Sequence, residues 1–127
     1  MSADIEAEAC AEAICRALAD ARPTYRNEDD LQAAIADLLA DADIAATREV
    51  RLSDGQSRID LLAGRVGIEV KVGGGTSDVA RQLARYAQCS EISALVLVTT
   101  RVAHSHVLNE PTTDKPVFVC SLIGAGL

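Results

Sequence analysis

Asp60, Glu69 and Lys71 are the residues in this chain whose types and spacing can do chemistry. They lie in two apolar runs, Ile59 to Ala63 and Val66 to Val72, separated by Gly64 and Arg65. Two such runs around a Gly-containing pair read as a β-hairpin. Side chains alternate along a strand, so Glu69 and Lys71 share one face while Ile68, Val70 and Val72 share the other. With the turn at Gly64–Arg65, Asp60 falls roughly opposite Ile68 and Glu69, and cross-strand neighbours lie about 5 Å apart. Two carboxylates and one ammonium therefore converge in a hydrophobic hairpin. Buried charge is costly unless it is paired or bound to a metal. Two arrangements satisfy that condition. One is a structural ion pair of Lys71 with Asp60 or Glu69 on a solvated sheet face. The other is a Mg²⁺ or Mn²⁺ site, for which two carboxylates suit a hard cation and the ammonium orients a water.

The rest of the chain supplies elements that can position this hairpin. Residues 3–20 are rich in Ala, Glu, Leu and Ile, with Cys10, Ile14, Ala17 and Leu18 at helical spacing, and Pro23 ends the helix. Asn27 is a good N-cap for a second helix running to about Asp41, with Asp30 at its third position in a capping-box-like arrangement. Glu28, Asp29 and Asp30 make an acidic first turn that complements the helix dipole. Ile44 to Leu52 reads as a first strand, and Ser53-Asp54-Gly55-Gln56 as a turn into the hairpin. Gly73-Gly74-Gly75 gives a sharp connection; no Gly-Lys-Ser/Thr follows, so it is not a P-loop.

Ser77 is the expected cap of a third helix, from Asp78 to about Cys89, packed through Val79, Leu83 and Ala87. On its adjoining faces Gln82 pairs with Tyr86 and Arg81 with Arg85 at i, i+4 spacing. Ser93 to Thr100 is a nearly continuous apolar run after a helix, as expected of a buried strand reached by a crossover. His104 and His106 follow in a loop or short helix, either as structural groups or as metal or proton ligands. Pro111 to Pro116 is turn-like, and Val117 to Ile123 reads as a last strand. No repeat or long linker interrupts the chain.

At 127 residues the chain suits one domain with a modest core, which must be aliphatic because only 2% of residues are aromatic. No apolar run approaches the roughly 20 residues that span a membrane, and the acidic N-terminus is unlike a signal peptide. Cys10, Cys15, Cys89 and Cys120 show no CxxC spacing, so reduced thiols in a cytoplasmic protein are expected. The net charge of −7 argues against a nucleic-acid partner, but its distribution softens the objection. Residues 1–43 hold 3 basic and 11 acidic residues, a net of −8, whereas residues 44–127 hold 9 and 8, a net of +1.

With its elements in the order helix, helix, three strands, helix, strand, strand, the chain resembles the PD-(D/E)xK nuclease superfamily. Asp60 sits at the Asp position of that family's second core strand, and Glu69-Val70-Lys71 looks like the (D/E)-x-K signature of the third. Glu28 is placed like the additional helical acid of many members. Gln82-Leu83-Ala84-Arg85-Tyr86 resembles the QxxxY motif of the RecB-like and phage-exonuclease-like branches. Arg58-Ile59-Asp60 lacks the family's proline, as many members do. The resemblance spans residues 26–100, with residues 1–25 an accessory helix and residues 101–127 a C-terminal extension of the same domain.

The resemblance implies an α/β restriction-endonuclease-like fold, an α-β-β-β-α-β core whose mixed central sheet is flanked by helices. It implies a Mg²⁺- or Mn²⁺-dependent deoxyribonuclease, endonuclease rather than exonuclease, acting in DNA repair or recombination and leaving 5′-phosphate ends. Asp60, Glu69, the Val70 carbonyl and Glu28 would hold the metal, and Lys71 would position the attacking water. Gln82 and Tyr86 would orient Lys71, a ligand or the DNA, and Arg81, Arg85 and Arg101 would contact phosphates. Holliday-junction resolvases of the superfamily suggest a homodimer, with residues 117–123 either as the contact or as an ordinary strand covered within the monomer. A protein partner that delivers DNA is also compatible. Two other classes remain: a catalytically silent nuclease-like nucleic-acid-binding subunit, and an acidic protein-interaction domain in which the hairpin charges only form salt bridges.

Overall fold

A computed structural model describes residues 2–101, 104 and 113–122. The expectations for His106, for the Pro111 turn and for the end of the last strand at Ile123 lie outside the described residues. Three helices and five strands follow in the order α1 (Ser2–Leu18), α2 (Glu28–Asp41), β1 (Thr47–Arg51), β2 (Arg58–Ala63), β3 (Val66–Lys71), α3 (Thr76–Ala87), β4 (Ala94–Thr99) and β5 (Val117–Ser121). The strands form one mixed α/β sheet in sequence order, β1-β2-β3-β4-β5. β1, β2 and β3 pair antiparallel, and β4 and β5 continue parallel to β3.

Helix boundaries follow local chemistry. The Asn27 side chain accepts the Asp30 amide at 2.9 Å and starts α2. Asp30 does not complete a capping box; its carboxylate turns to the Arg26 amide and guanidinium instead. α3 begins earlier than the Ser77 cap predicted: Gly75 is its N-cap, with no side-chain capping bond. The first strand is shorter than the Ile44–Leu52 run, because α2 closes through Asp43 with φ 62 and Ile44 hydrogen-bonds back to Leu39.

Both faces of the sheet are covered. Ile14 and Leu18 of α1 and Leu31, Ile35 and Leu39 of α2 pack on Leu61, Ile68, Val70, Val96 and Val98. Val79, Leu83 and Tyr86 of α3 pack on Ile59, Leu95 and Leu97 on the other face. β4 is buried at all six positions, which is why its sequence is unbroken apolar. Among the described residues no helix is long and apolar enough to cross a membrane, and the four cysteines are free thiols.

One alternation is broken. Ile59 packs with α3, but Leu61, two residues on and by simple alternation on the same face, packs with α1 and α2. β1 breaks at the matching place, since Val50 lies against the α3 cluster while Ala46 and Arg48 lie toward α2. The register pairs Arg48 with Leu61 and Val50 with Ile59, so the break falls at Glu49 and, opposite it, Asp60. Glu49 takes a left-handed backbone, φ 53. That conformation costs a non-glycine residue roughly 1 kcal/mol.

Gly67 is required by packing. A Cβ there would run into Ile59 Cδ1 and come within 2.9 Å of Ile92 Cδ1. Both isoleucines are fully buried. Gly67→Ala is expected to destabilise the chain by about 1–3 kcal/mol through overpacking, read as a lower urea midpoint at unchanged m-value.

Candidate functional site

The hairpin stops pairing where the chemistry begins. β2 and β3 are in register at Ala63–Val66, Leu62–Gly67 and Leu61–Ile68, and no pair follows at Asp60 and beyond. β3 continues to Lys71 along its other edge, paired with β4 as far as Lys71–Thr99. The Lys71 carbonyl accepts the Thr100 amide at 3.2 Å and so faces β4. Backbone groups alternate sides along a strand, so the amides of Val70 and Val72 face the gap left by β2.

Carboxylates fill that gap. Asp60 Oδ2 accepts the Val70 N–H at 2.8 Å, and Glu28 Oε2, from the first turn of α2, accepts the Val72 N–H at 3.3 Å. Each side chain stands in for a ladder carbonyl. The Val70 carbonyl shares the side of its own amide and opens into the same gap.

Glu69 and Lys71 share the α3 face, as the alternation predicts. Lys71 Nζ lies 3.3 Å from Glu69 Oε2. Glu69 is 2% exposed, and its Oε1 is buried without a hydrogen-bond partner. Burial first, then the neighbouring Asp60 charge, push the Glu69 carboxyl up to about 8; Lys71 only partly offsets them. Asp60 is also raised, chiefly by burial and further by the Glu28 charge, against the Val70 hydrogen bond and Lys71. The three carboxylates therefore feel one another, and the site is short of positive charge.

Behind it stands the Gln82–Tyr86 pair of α3. Gln82 Nε2 donates to the Tyr86 hydroxyl at 2.8 Å, and that hydroxyl donates to the Arg58 carbonyl at 3.3 Å. Tyr86 is buried, and burial followed by the Glu69 charge holds its phenol above the usual range. The pair thus anchors β2 two residues before Asp60 and sets where the strand peels away.

The remaining residues named from the sequence make contacts of their own. Arg81 forms an ion pair with Asp78 on its own helix, both exposed. Arg85 is exposed, and its charge acts on Asp54. Arg101 is exposed, its amide bonded to Thr99 Oγ1 at 3.0 Å. His104 is fully buried, with Nε2 2.9 Å from the Gly74 carbonyl and Nδ1 2.6 Å from Thr99 Oγ1. A carbonyl only accepts, so Nε2 carries a hydrogen, and both ring nitrogens are engaged. His104 is a strut between the end of β4 and the glycine loop after Lys71. No spacing in the sequence signals this contact.

Among the described residues no three His, Cys, Asp or Glu side chains cluster tightly enough to hold a metal alone. The donor set facing the gap is Asp60, Glu69 and the Val70 carbonyl. It fits a hard cation, which takes one or two carboxylates and completes its shell with water and phosphate oxygens. Glu69 Oε1 has no hydrogen-bond partner, and burial raises both carboxyls. Comparison of the chain with protein-family models, curated proteins and solved structures finds no match to any of them.

Glu69 in the folded chain keeps its proton to about pH 8, whereas unfolded it ionises near the ordinary glutamate value of 4.5. Between those values the native state binds the extra proton, so stability present below pH 4.5 is lost as pH rises toward 8. The metal-free chain is therefore expected to melt at a lower temperature at pH 8 than at pH 5. Glu69→Gln should flatten that dependence, as thermal scans across the range will show.

Proposed function

We propose that this chain is a divalent-metal-dependent deoxyribonuclease of the PD-(D/E)xK kind, an endonuclease that hydrolyses phosphodiester bonds and leaves 5′-phosphate ends. The observation that carries this reading is the buried Glu69 with an orphaned oxygen, beside Asp60 and Lys71, where β2 leaves β3. A structural ion pair alone would need neither a second, half-buried carboxylate nor an interrupted ladder. The element order from α2 to β4, with β3 parallel to β4, also agrees with the α-β-β-β-α-β core of that superfamily.

Mg²⁺ or Mn²⁺ held by Asp60, Glu69 and the Val70 carbonyl would supply Lewis acidity at the scissile phosphate and make water a better nucleophile at neutral pH. The chain's own residues do the positioning. Asp60 and Glu28 fix the free edge of β3 through the Val70 and Val72 amides. Lys71, partly exposed and tethered two residues from Glu69, orients the attacking water and offsets charge that develops on the phosphorane-like transition state. Gln82 and Tyr86 hold β2, and with it Asp60, at a fixed distance from Glu69.

Nothing in the fold marks a base-reading helix, and the scarcity of aromatics disfavours stacking on single strands. Duplex or junction DNA read through its backbone is the favoured substrate, presented directly or by a protein partner. A homodimer would bring two sites to one duplex, and the half-buried edge strand β5 is the candidate contact. Such an enzyme would work in the cytoplasm, in DNA repair or recombination.

The test is cleavage of supercoiled, linear, single-stranded and four-way-junction DNA with Mg²⁺ or Mn²⁺. Lys71→Ala and Asp60→Asn are each expected to reduce cutting by at least ~10²-fold. Cutting that survives both substitutions would sink the assignment. Mn²⁺ should also raise the melting temperature of the wild type at pH 8, because it binds only the folded site; no shift would favour an interaction domain with a purely structural ion pair.

A further inference from the structure

The side chains of the like-charged pair Arg51 and Arg58 form no ion pair among the described residues. The two are directly opposite one another in the β1–β2 ladder, and both are exposed. Like charges facing each other across a ladder are destabilising. In a chain of net charge −7, arginines have carboxylates to choose from. Arg26 takes Asp30, Arg48 takes Asp29 and Arg81 takes Asp78. Among the described residues neither Arg51 nor Arg58 has an ion-pair partner.

The nearest turn explains why. Asp54, between the two strands, is consumed within its own turn. It accepts the Gln56 amide at 2.9 Å, the Ser57 amide at 2.7 Å and the Ser57 hydroxyl, which hold its carboxyl down to about 2. The Arg85 charge also acts on Asp54, which brings the end of α3 and a third guanidinium toward the same corner.

The pair is also fixed relative to the carboxylate site. Arg58 is two residues before Asp60, and its carbonyl is the group that Tyr86 holds. Its backbone is thus pinned by the same contact that sets the opening between β2 and β3. Arg51 follows by ladder register.

We infer that Arg51 and Arg58 form a phosphate-binding site that receives the backbone of duplex DNA at the β1–β2 corner. This inference rests on the nuclease reading. It assigns the contact to the β1–β2 corner, where the arginines are free, ahead of Arg81, which is already paired. An anion between the two guanidiniums turns a repulsive pair into a favourable one and costs the fold no internal ion pair.

The test measures binding of a short labelled DNA duplex in Mg²⁺ across a salt series, in a Lys71→Ala background so that the duplex stays intact. Arg51→Gln with Arg58→Gln should weaken binding and make the slope of log K against log salt shallower by ~1.8, the value for two lost phosphate contacts. Arg51→Glu should also weaken binding while raising the melting temperature, because it converts the like pair into a cross-strand ion pair. Opposite movement of the two readouts is the signature of a site kept for a ligand. An unchanged slope in the double variant, with wild type that still binds and cuts, would overturn the arginine site alone. Wild type that neither binds nor cuts DNA would overturn the nuclease reading and this site with it.

Discussion

The hydrogen bond from the Val70 amide to the Asp60 carboxylate is the contact on which this architecture turns. A hairpin that continued to zip would satisfy that amide with a backbone carbonyl and leave Asp60 pointing into a packed face. Here the side chain takes the carbonyl's place, so the strands part without orphaning a buried donor. The carbonyl of Val70 and the carboxylate of Glu69 are then left beside an opening. Glu28 repeats the substitution one step along, at Val72.

This opening has an electrostatic cost that the fold does not relieve by itself. Glu69 is enclosed on the α3 face with one cationic neighbour, Lys71, which engages one of its oxygens. A stability-optimised sheet would carry an apolar residue there. The surrounding structure is correspondingly firm: the fully buried β4 on one side, the Tyr86 anchor on the other, and His104 holding the glycine loop behind Lys71. Rigid surroundings are what keep an ionisable group in a position it would otherwise leave.

Much of this was legible in the sequence because the signals were local. Alternation placed Glu69 and Lys71 on one face, Asn27 announced the start of α2, and the unbroken run after α3 marked β4 as buried. Helix spacing joined Gln82 to Tyr86. The missing pieces depend on contacts distant in sequence. Nothing in Arg58 signals that a tyrosine hydroxyl 28 residues away grips its carbonyl. The parity break at Asp60 is invisible because Arg58-Ile59-Asp60-Leu61 alternates no less regularly than a flat strand. His104 and His106 stand together in the sequence, but the use of His104 as a strut depends on Thr99 and Gly74 meeting in space. The Ser77 cap failed because a glycine with extended backbone can start a helix without any side chain.

The left-handed Glu49 in β1 carries a consequence of a different kind. β1 is an edge of the sheet, and an open edge with regular spacing is a template for a strand of another molecule. A residue with φ 53 in the middle of a five-residue strand interrupts that template. Donors and acceptors on either side of the bend no longer lie in one plane, so an incoming strand cannot pair along the whole length. The bend at Glu49 thus keeps this margin of the molecule from offering one continuous template. One backbone angle in β1 is enough to spoil the edge for a partner strand.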